Sequence, residues 1–285
     1  MANLDLRPLS LGEILDRSFS LYRQNFLLFL GIAAIPQLFV LVLNLAQVFL
    51  GLSKNTVQPG RPAAVPAVPP AAVPALFVIG LLGAVVYLVA YLLSQGATVS
   101  AVAEIYLGRT TTIGEALRKA RGELGVLFGV TMLNGLVTVL GFIALIIPGV
   151  YLICRLLIAV PAAMIENLGP RDSLERSFAL TKGSAGRSFM IIFVYFVILM
   201  ALMFSLGIAI GIASAATRGN PQLVPLWAML TAVSQSVVTA VVTPILLISV
   251  SVFYFDLRVR KEAFDLQMML NPSTAAAAGA QGAVV

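Results

Sequence analysis

The sequence predicts an all-α fold, a polytopic membrane helix bundle with about six spanning helices. Apolar residues make up 60% of the chain and charged residues 11%, against roughly 45–50% and about 25% in soluble domains. Residues 26–50 and 189–212 contain no Asp, Glu, Lys or Arg, and each run exceeds the roughly 20 residues that cross a bilayer core. We therefore expect a single membrane domain over residues 1–270.

The first spanning helix is expected to be retained in the mature protein. Residues 1–25 lack the short apolar core and small-residue cleavage site of a signal peptide. The predicted spanning runs are residues 26–50, 75–106, 124–147, 151–165, 189–216 and 223–255.

The connections also have sequence signals. Six prolines in residues 53–74 predict an extended loop, and Pro148-Gly149 predicts a hairpin turn between the third and fourth runs. The sixth helix is expected to continue to about Leu270, and the Ala/Gly-rich residues 271–285 to be a disordered tail. Kinks or breaks are predicted at Pro36, Pro161 and Pro244.

The basic residues predict the orientation. Most of the 18 Lys and Arg residues flank the runs on the side that holds both termini, which the positive-inside rule places in the cytoplasm of a prokaryotic cell. The Pro-rich loop is then non-cytoplasmic. The fourteen residues on the cytoplasmic side are Arg7, Arg17, Arg23, Arg109, Arg118, Lys119, Arg121, Arg171, Arg176, Lys182, Arg187, Arg258, Arg260 and Lys261.

Three segments before the odd-numbered runs resemble one another. Each contains a capping-box pattern, in the pairs Ser10/Glu13, Thr112/Glu115 and Asp172/Glu175. Residues 15–23 and 174–182 also share a Leu-acid-Arg-Ser-Phe pattern, in a register that differs from the capping match by three residues. Apolar residues recur at helical spacing, which predicts amphipathic interfacial helices.

These segments predict three parallel repeats, residues 8–106, 110–166 and 170–256, each an interfacial helix followed by a spanning hairpin. Parallel repeats argue mildly against the transporters built from inverted repeats. Small-residue pairs at Gly125/Gly129 and Gly207/Gly211 predict close helix packing.

Several classes of function are excluded by composition. The chain has no histidine and one cysteine, Cys154, so the usual general base and the common metal-ligand sets are missing. We predict no enzyme, no metal and no cofactor. The net charge of +6 is attributed to membrane orientation, not to nucleic acid.

Four residues are candidate contacts for a lipid or another ligand. Arg155 lies within the fourth apolar run, where a charge is by default a functional hypothesis; the alternative is a guanidinium that bonds carbonyls or extends to the interface. Gln37, Asn44 and Gln47 share one helix face. They could line a polar path together with groups on other helices such as Ser94, Gln95 and Thr239, or they could hold helices together.

Three acids occupy equivalent repeat positions, Glu104, Glu166 and Asp256 at the cytoplasmic ends of the second, fourth and sixth spans. We expect ion pairs with the basic residues of the interfacial helices, the alternative being a proton or ion site.

Three stretches carry a family resemblance: residues 6–26, residues 147–183 with Pro148-Gly-x-Tyr-x-x-x-Arg155 and Leu168-Gly169-Pro170, and residues 254–266. They resemble the membrane domain of glycerophosphoryl diester phosphodiesterases and related multi-pass prokaryotic membrane proteins. In fused relatives, hydrolysis belongs to a separate histidine-containing barrel, so the resemblance implies an anchor-type domain without the enzyme and a link to membrane lipids.

The sequence thus favours a non-enzymatic plasma-membrane protein, a scaffold or lipid-interacting module. Its expected partners are membrane lipids, including anionic headgroups, and a protein partner or a second copy of the chain. The alternative is a small transporter or permease with a polar path between the repeats, which would join Asn44 to Arg155.

Overall fold

The computed structural model describes residues 8–49, 73–217 and 220–262, and the regular structure of these residues is entirely helical. The helices are α1 (Leu11–Gln24), α2 (Phe26–Phe49), α3 (Val73–Tyr106), α4 (Ile113–Gly122), α5 (Leu124–Ala144), α6 (Ile146–Leu156), α7 (Ala159–Glu166), α8 (Pro170–Thr181), α9 (Ala185–Ala216) and α10 (Val224–Glu262), with a 3-10 turn at Pro221–Leu223.

Six segments of this described part are long and apolar enough to cross a membrane: Phe26–Phe49, Phe77–Tyr106, Leu124–Ala144, Ile146–Glu166, Ala185–Ala216 and Val224–Glu262. The predicted all-α polytopic bundle is confirmed.

Two predictions fall on residues outside the described part. Of the Pro-rich connector 53–74, only Val73 and Pro74 are described, at the start of α3. The continuation of the last helix beyond Glu262 and the tail 271–285 also lie outside it.

Capping boxes start two of the short helices, as predicted. In α1 the Ser10 hydroxyl accepts from the Glu13 amide at 3.3 Å, and the Glu13 carboxylate accepts from the Ser10 amide at 2.6 Å. Thr112 and Glu115 make the same two bonds in α4, at 3.3 and 2.9 Å. Each box satisfies backbone donors that the first helical turn leaves free.

The capping box predicted at Asp172/Glu175 is wrong. α8 begins three residues earlier, with Gly169 at the N-cap and Pro170 at the first helical position, and no side chain caps it. Proline suits this position because its φ is helical and its missing amide would have had no helical partner. Asp172 therefore occupies the position that Glu13 has in α1, 159 residues earlier, and the same offset relates residues 15–23 to 174–182.

The three short helices bury equivalent positions in this register. The buried residues spaced four apart are Ile14, Ser18 and Tyr22 in α1, Ala116 and Ala120 in α4, and Ser173, Ser177 and Thr181 in α8. Each helix thus packs one narrow stripe against the spanning helices and leaves its charged residues on the other faces.

The fourth span consists of two helices, α6 and α7, interrupted at Leu157 and Ile158. A continuous helix would require the amide that Pro161 lacks, whereas in the first turn of α7 this amide is not needed. The predicted break at Pro161 is therefore present. Pro36 and Pro244 instead lie inside the uninterrupted helices α2 and α10.

The turn before this span was predicted at Pro148-Gly149 and lies at Leu145, whose backbone is extended (φ −175°, ψ 163°). Pro148 and Gly149 belong to the first turns of α6. Glycine is needed here because the backbones of α5 and α6 approach closely: a Cβ on Gly141 would lie 3.0 Å from Gly149 Cα.

The predicted glycine pairs have different surroundings. A Cβ on Gly129 would lie 2.6 Å from Pro170 Cγ, so α5 and α8 do pack closely there, whereas Gly125, Gly207 and Gly211 face open space. The close packing predicted at Gly207/Gly211 is therefore not found among the described residues.

The core of the bundle is built on α10, which packs against α1, α2, α3 and α9. Its last turns bury Phe253, Tyr254 and Leu257 completely. This half of α10 contacts Tyr106 at the end of α3, Glu166 at the end of α7, the segment before α1 and the end of α8, which brings most of the ionic side chains to one end of the bundle.

Candidate functional site

We call this region the charged end: helices α1, α4 and α8 with the adjoining ends of α3, α7, α9 and α10. Glu104, near the end of α3, forms a short ion pair with Lys119 of α4 and lies 3.6 Å from Arg109. The pair joins the end of one predicted repeat to the first helix of the next.

Glu166, the last residue of α7, lies in a cluster of four charges. Arg176 of α8 donates through Nε to both carboxylate oxygens of Glu166, at 2.8 and 3.0 Å, and Arg176 Nη1 lies 2.5 Å from Glu262. Arg258 Nε lies 3.1 Å from Glu262 and 3.7 Å from Glu166. The Tyr254 hydroxyl also donates to Glu166 in a short hydrogen bond.

Two carboxylates and two guanidiniums balance this cluster. Burial alone would lower the pKa of Arg176, but hydrogen bonds and proximity to Glu262 and Glu166 raise it above its ordinary value. Because the two carboxylates and the two guanidiniums offset one another, the cluster has no net formal charge to offer a ligand.

Asp256 holds the segment before α1 against α10. Its side chain is completely buried, and Oδ1 accepts from the Leu9 amide at 2.7 Å. Arg187 and Arg260 lie 2.8 and 2.9 Å from Oδ2, and each also donates to the Leu9 carbonyl at 2.6 Å. The acid thus pairs with residues of α9 and α10 and with a backbone amide, not with the basic residues of α1.

One basic position recurs in the short helices and contacts the end of a span in each case. In the register above, Arg17, Lys119 and Arg176 are equivalent. Lys119 and Arg176 meet Glu104 and Glu166, while the Arg17 guanidinium lies 4.9 Å from the Tyr106 ring centre. Tyr106 stacks on Phe255 of α10 at 4.5 Å.

Arg155 contacts the C-terminus of α8. Its Nη2 donates to the Phe178 carbonyl at 2.6 Å, and its guanidinium packs near the Phe178 and Tyr151 rings. The Arg155 carbonyl accepts from Ser177 and Thr181 at 2.7 and 3.0 Å. The side chain thus bonds a carbonyl, as the structural alternative expected, but its buried Nε has no hydrogen-bond partner.

Two lysines join Arg155 at this helix end. Lys261 donates to the carbonyls of Ala179 and Lys182, at 3.0 and 2.8 Å, and it lies within electrostatic range of both Arg155 and Lys182. Cations near a helix C-terminus are stabilised by its partial negative charge. We call Arg155, Lys182 and Lys261 the cationic cluster.

Within residues 8–49, 73–217 and 220–262, no carboxylate forms an ion pair with a member of the cationic cluster. Lys182, one member of the cluster, lies just before the N-terminus of α9, where the side chain of the N-cap residue Ser184 makes no capping hydrogen bond. Sequence reasoning found Arg155 but missed the lysines, because their approach depends on how α8 and α10 pack.

A second candidate site is a cavity of about 270 Å³ in the middle of the bundle, between α2, α3, α9 and α10. Gln37 lines it, as do Ser94, Gln95 and Thr239, four of the polar residues singled out in the sequence. The sequence reasoning missed the three tyrosines, Tyr87, Tyr91 and Tyr195, and also Thr243.

The polar path expected for a transporter is not continuous in this cavity. Asn44 and Gln47 lie further along α2 and do not line it, and Arg155 on α6 contacts α8 at the charged end. Among the described residues, no group of three or more acids, cysteines or histidines is placed to hold a metal ion.

Comparison with models of known families gave no match, and neither the characterised proteins nor the solved structures searched include a similar chain.

Proposed function

We propose that the protein is a non-enzymatic multi-pass protein of a prokaryotic plasma membrane that binds anionic lipid headgroups at its charged end. The observation that carries the proposal is the cationic cluster, in which two lysines and one arginine meet with no paired carboxylate in the described part of the chain.

The contrast with the neighbouring charges supports this proposal. Glu166 and Glu262 balance Arg176 and Arg258, and Glu104 pairs with Lys119. Since adjacent like charges repel unless a counter-charge is supplied, the cationic cluster favours an anion that the described part of the chain does not supply. A lipid phosphate has this charge at the membrane surface, where a Lys or Arg contributes about 1 kcal/mol to binding.

Two further structural features agree with a phosphate ligand. Arg155 Nε is a buried donor without a partner, the α9 N-terminus begins beside Lys182, and amides at such a terminus favour anions. The resemblance to the membrane domain of glycerophosphoryl diester phosphodiesterases, which implies a link to membrane lipids, also supports a lipid phosphate as the ligand.

Binding can be tested by titrating short-chain phosphatidylglycerol, with phosphatidylcholine as the uncharged comparison, into the full chain in detergent. We expect Lys182→Gln/Lys261→Gln to weaken phosphatidylglycerol binding by roughly 10- to 30-fold, the equivalent of about 2 kcal/mol. Lys119→Gln, which removes a cation already paired with Glu104, should change it little. Equal affinity in wild type and double variant would refute the proposed site.

The orientation belongs to the same proposal: both termini and the charged end face the cytoplasm, where anionic lipids attract basic residues. Reporter fusions in the segments 53–72 and 107–112 test this orientation. We expect a cytoplasmic signal from 107–112 and a non-cytoplasmic one from 53–72, and the reverse pattern would contradict the proposal.

A further inference from the structure

The cavity in the middle of the bundle is polar but has no charge. Each of its four helices contributes at least one polar side chain: Gln37 from α2, Ser94 from α3, Tyr195 from α9 and Thr243 from α10. None of the cavity-lining residues is Asp, Glu, Lys or Arg.

Several of these polar groups have no hydrogen-bond partner among the residues that the structure describes. In the described residues, the Gln37 amide and the hydroxyls of Ser94, Tyr195 and Thr243 make no side-chain hydrogen bond, whereas Thr239 donates to the Gln235 carbonyl at 2.8 Å. Ser94 is only 4% exposed. Because donors and acceptors in a bilayer core need a partner, their convergence indicates that something polar fills the cavity.

The lining limits what this ligand is. A charged group would be buried without a counter-charge, at a high cost, whereas hydroxyl and amide groups can both donate to and accept from the lining. The cavity volume of about 270 Å³ corresponds to about nine water molecules at ~30 Å³ each. This space is also large enough for one hydroxylated ring.

The cavity has a side from which such a group can enter. α3 and α9 both pack on α10 without extensive contact with each other, and Tyr87 on α3 lines the cavity while 36% of its surface is exposed. Tyr91 and Tyr195 face the cavity from the two sides of this gap. Aromatic walls with polar tips suit a group that has both apolar and hydroxylated faces.

We propose that this cavity binds an uncharged, hydroxyl-bearing group of about the size of one sugar ring, either the headgroup of a neutral lipid or a free polyol. The site is separate from the cationic cluster and does not depend on the anionic-lipid proposal. Gln37 and Thr243 bind the hydroxyls, and the tyrosines line the apolar faces.

The probes are labelled octyl glucoside below its micelle concentration, free glucose, and octyl phosphate as a charged comparison. Each is titrated against the full chain in phosphatidylcholine nanodiscs, with empty nanodiscs subtracted. We expect saturable binding of octyl glucoside and none of octyl phosphate. Weaker binding of glucose would assign the site to a lipid headgroup, and equal binding to a free polyol.

Matched variants localise the binding. Gln37→Leu should weaken it about 3- to 10-fold, while Asn44→Leu, which also replaces an amide by leucine on the same helix but outside the cavity, should not. Thr243→Val removes only a hydroxyl and should act like Gln37→Leu, and Thr138→Val on α5 is its control. The Lys182→Gln/Lys261→Gln variant should bind octyl glucoside normally, which separates this site from the cationic cluster.

The proposal is overturned if neither neutral probe binds saturably, if octyl phosphate binds as well as octyl glucoside, or if Gln37→Leu and Thr243→Val, both folded by circular dichroism, retain full binding. In those cases the cavity holds water alone or takes a ligand of another class.

Discussion

At the residue scale, Asp256 illustrates why scarce charges matter in an apolar bundle. Its carboxylate is buried and takes three donors: the Leu9 amide, Arg187 and Arg260. Without the acid the Leu9 amide would lose its acceptor, and the two guanidiniums, both more than half buried, would lose their counter-charge although each still donates to the Leu9 carbonyl. The cost of losing the acid is therefore the cost of leaving its partners unpaired.

We expect Asp256→Asn to lower the free energy of unfolding by about 2 to 3 kcal/mol. The amide oxygen can still accept from Leu9, but the negative charge that holds both guanidiniums is lost. Chemical unfolding in detergent measures the change. Asp16→Asn, at an exposed position of α1, should lower the free energy of unfolding by less than about 0.5 kcal/mol, as is usual for surface substitutions. A similar loss in both variants would contradict this account.

Candidate residues could be predicted from sequence only as far as their helix and face. Arg155 stood out because a charge in an apolar run is unusual, and Gln37 because amides recurred on one helix face. Which groups meet them depends on tertiary packing: Lys261 is more than a hundred residues from Arg155 in the chain, and Tyr195 has no local pattern that separates it from other aromatic residues.

At the scale of elements, helix starts and breaks were predicted correctly where one local rule applied, such as a capping box or a proline that cannot donate a backbone hydrogen bond. They were predicted wrongly where two local rules applied to the same residues. At α8 the polar-acid spacing of Asp172 and Glu175 matched a capping box, but Pro170 is favoured at a first helical position and moved the start upstream. At the fourth span, Pro148 was interpreted as a turn although the first helical turn tolerates proline.

Gly141 is predicted to be essential to the α5–α6 hairpin. In Gly141→Ala the new Cβ would meet the Gly149 backbone at 3.0 Å and Leu152 at 2.6 Å, which should destabilise the protein by about 1 to 3 kcal/mol. Gly135→Ala, on the same helix, has nothing within 4 Å of its Cβ and should be neutral or slightly stabilising. Thermal unfolding of the two variants, compared with wild type, tests the close approach.

The cap of α4 predicts a pH dependence. The hydrogen bond from the Thr112 amide lowers the pKa of Glu115 in the folded state. The stabilisation that the ionised carboxylate contributes is therefore complete above the pKa of the unfolded state, about 4.3, and is lost as the pH falls through the pKa of the folded state. The unfolding midpoint of Glu115→Gln should therefore lie below wild type at pH 7 and approach it below about pH 4.

The control for this pH dependence is Glu175→Gln, because no side chain caps α8. Its difference from wild type should not follow the same curve. A Glu115→Gln difference that stays constant between pH 7 and pH 3.5 would mean that the charge of this cap does not act on stability.

At the scale of the whole molecule, each short helix is tied to the end of a span. α4 contacts the end of α3 through Glu104, α8 the end of α7 through Glu166, and the segment before α1 the end of α10 through Asp256. The pattern agrees with three related units in which each unit contacts the next and the third contacts the first. Sequence similarity suggested the units, but the closure depends on a bond between residues 247 positions apart.

This closure predicts coupled protection from hydrogen exchange. In Asp256→Asn the amides of α1 should exchange faster than in wild type, although the substitution lies in α10, because α1 packs on α10 and Leu9 bonds to Asp256. Amides of α4, which is tied to α3 through Glu104, should be much less affected. Hydrogen exchange with mass spectrometry compares the two helices, and equal effects in both would argue against a local tie.

The bond between Leu9 and Asp256 also has a consequence in time. During synthesis Leu9 leaves the ribosome before its acceptor on α10, which follows only after another 247 residues. Until then another acceptor must bind the Leu9 amide, and water, lipid or the insertion machinery must cover the face of α1 that later packs on α10. The contacts between α1 and α10 can therefore form only after α10 has been synthesised, and a chain truncated before Asp256 should leave the segment before α1 without its acceptor.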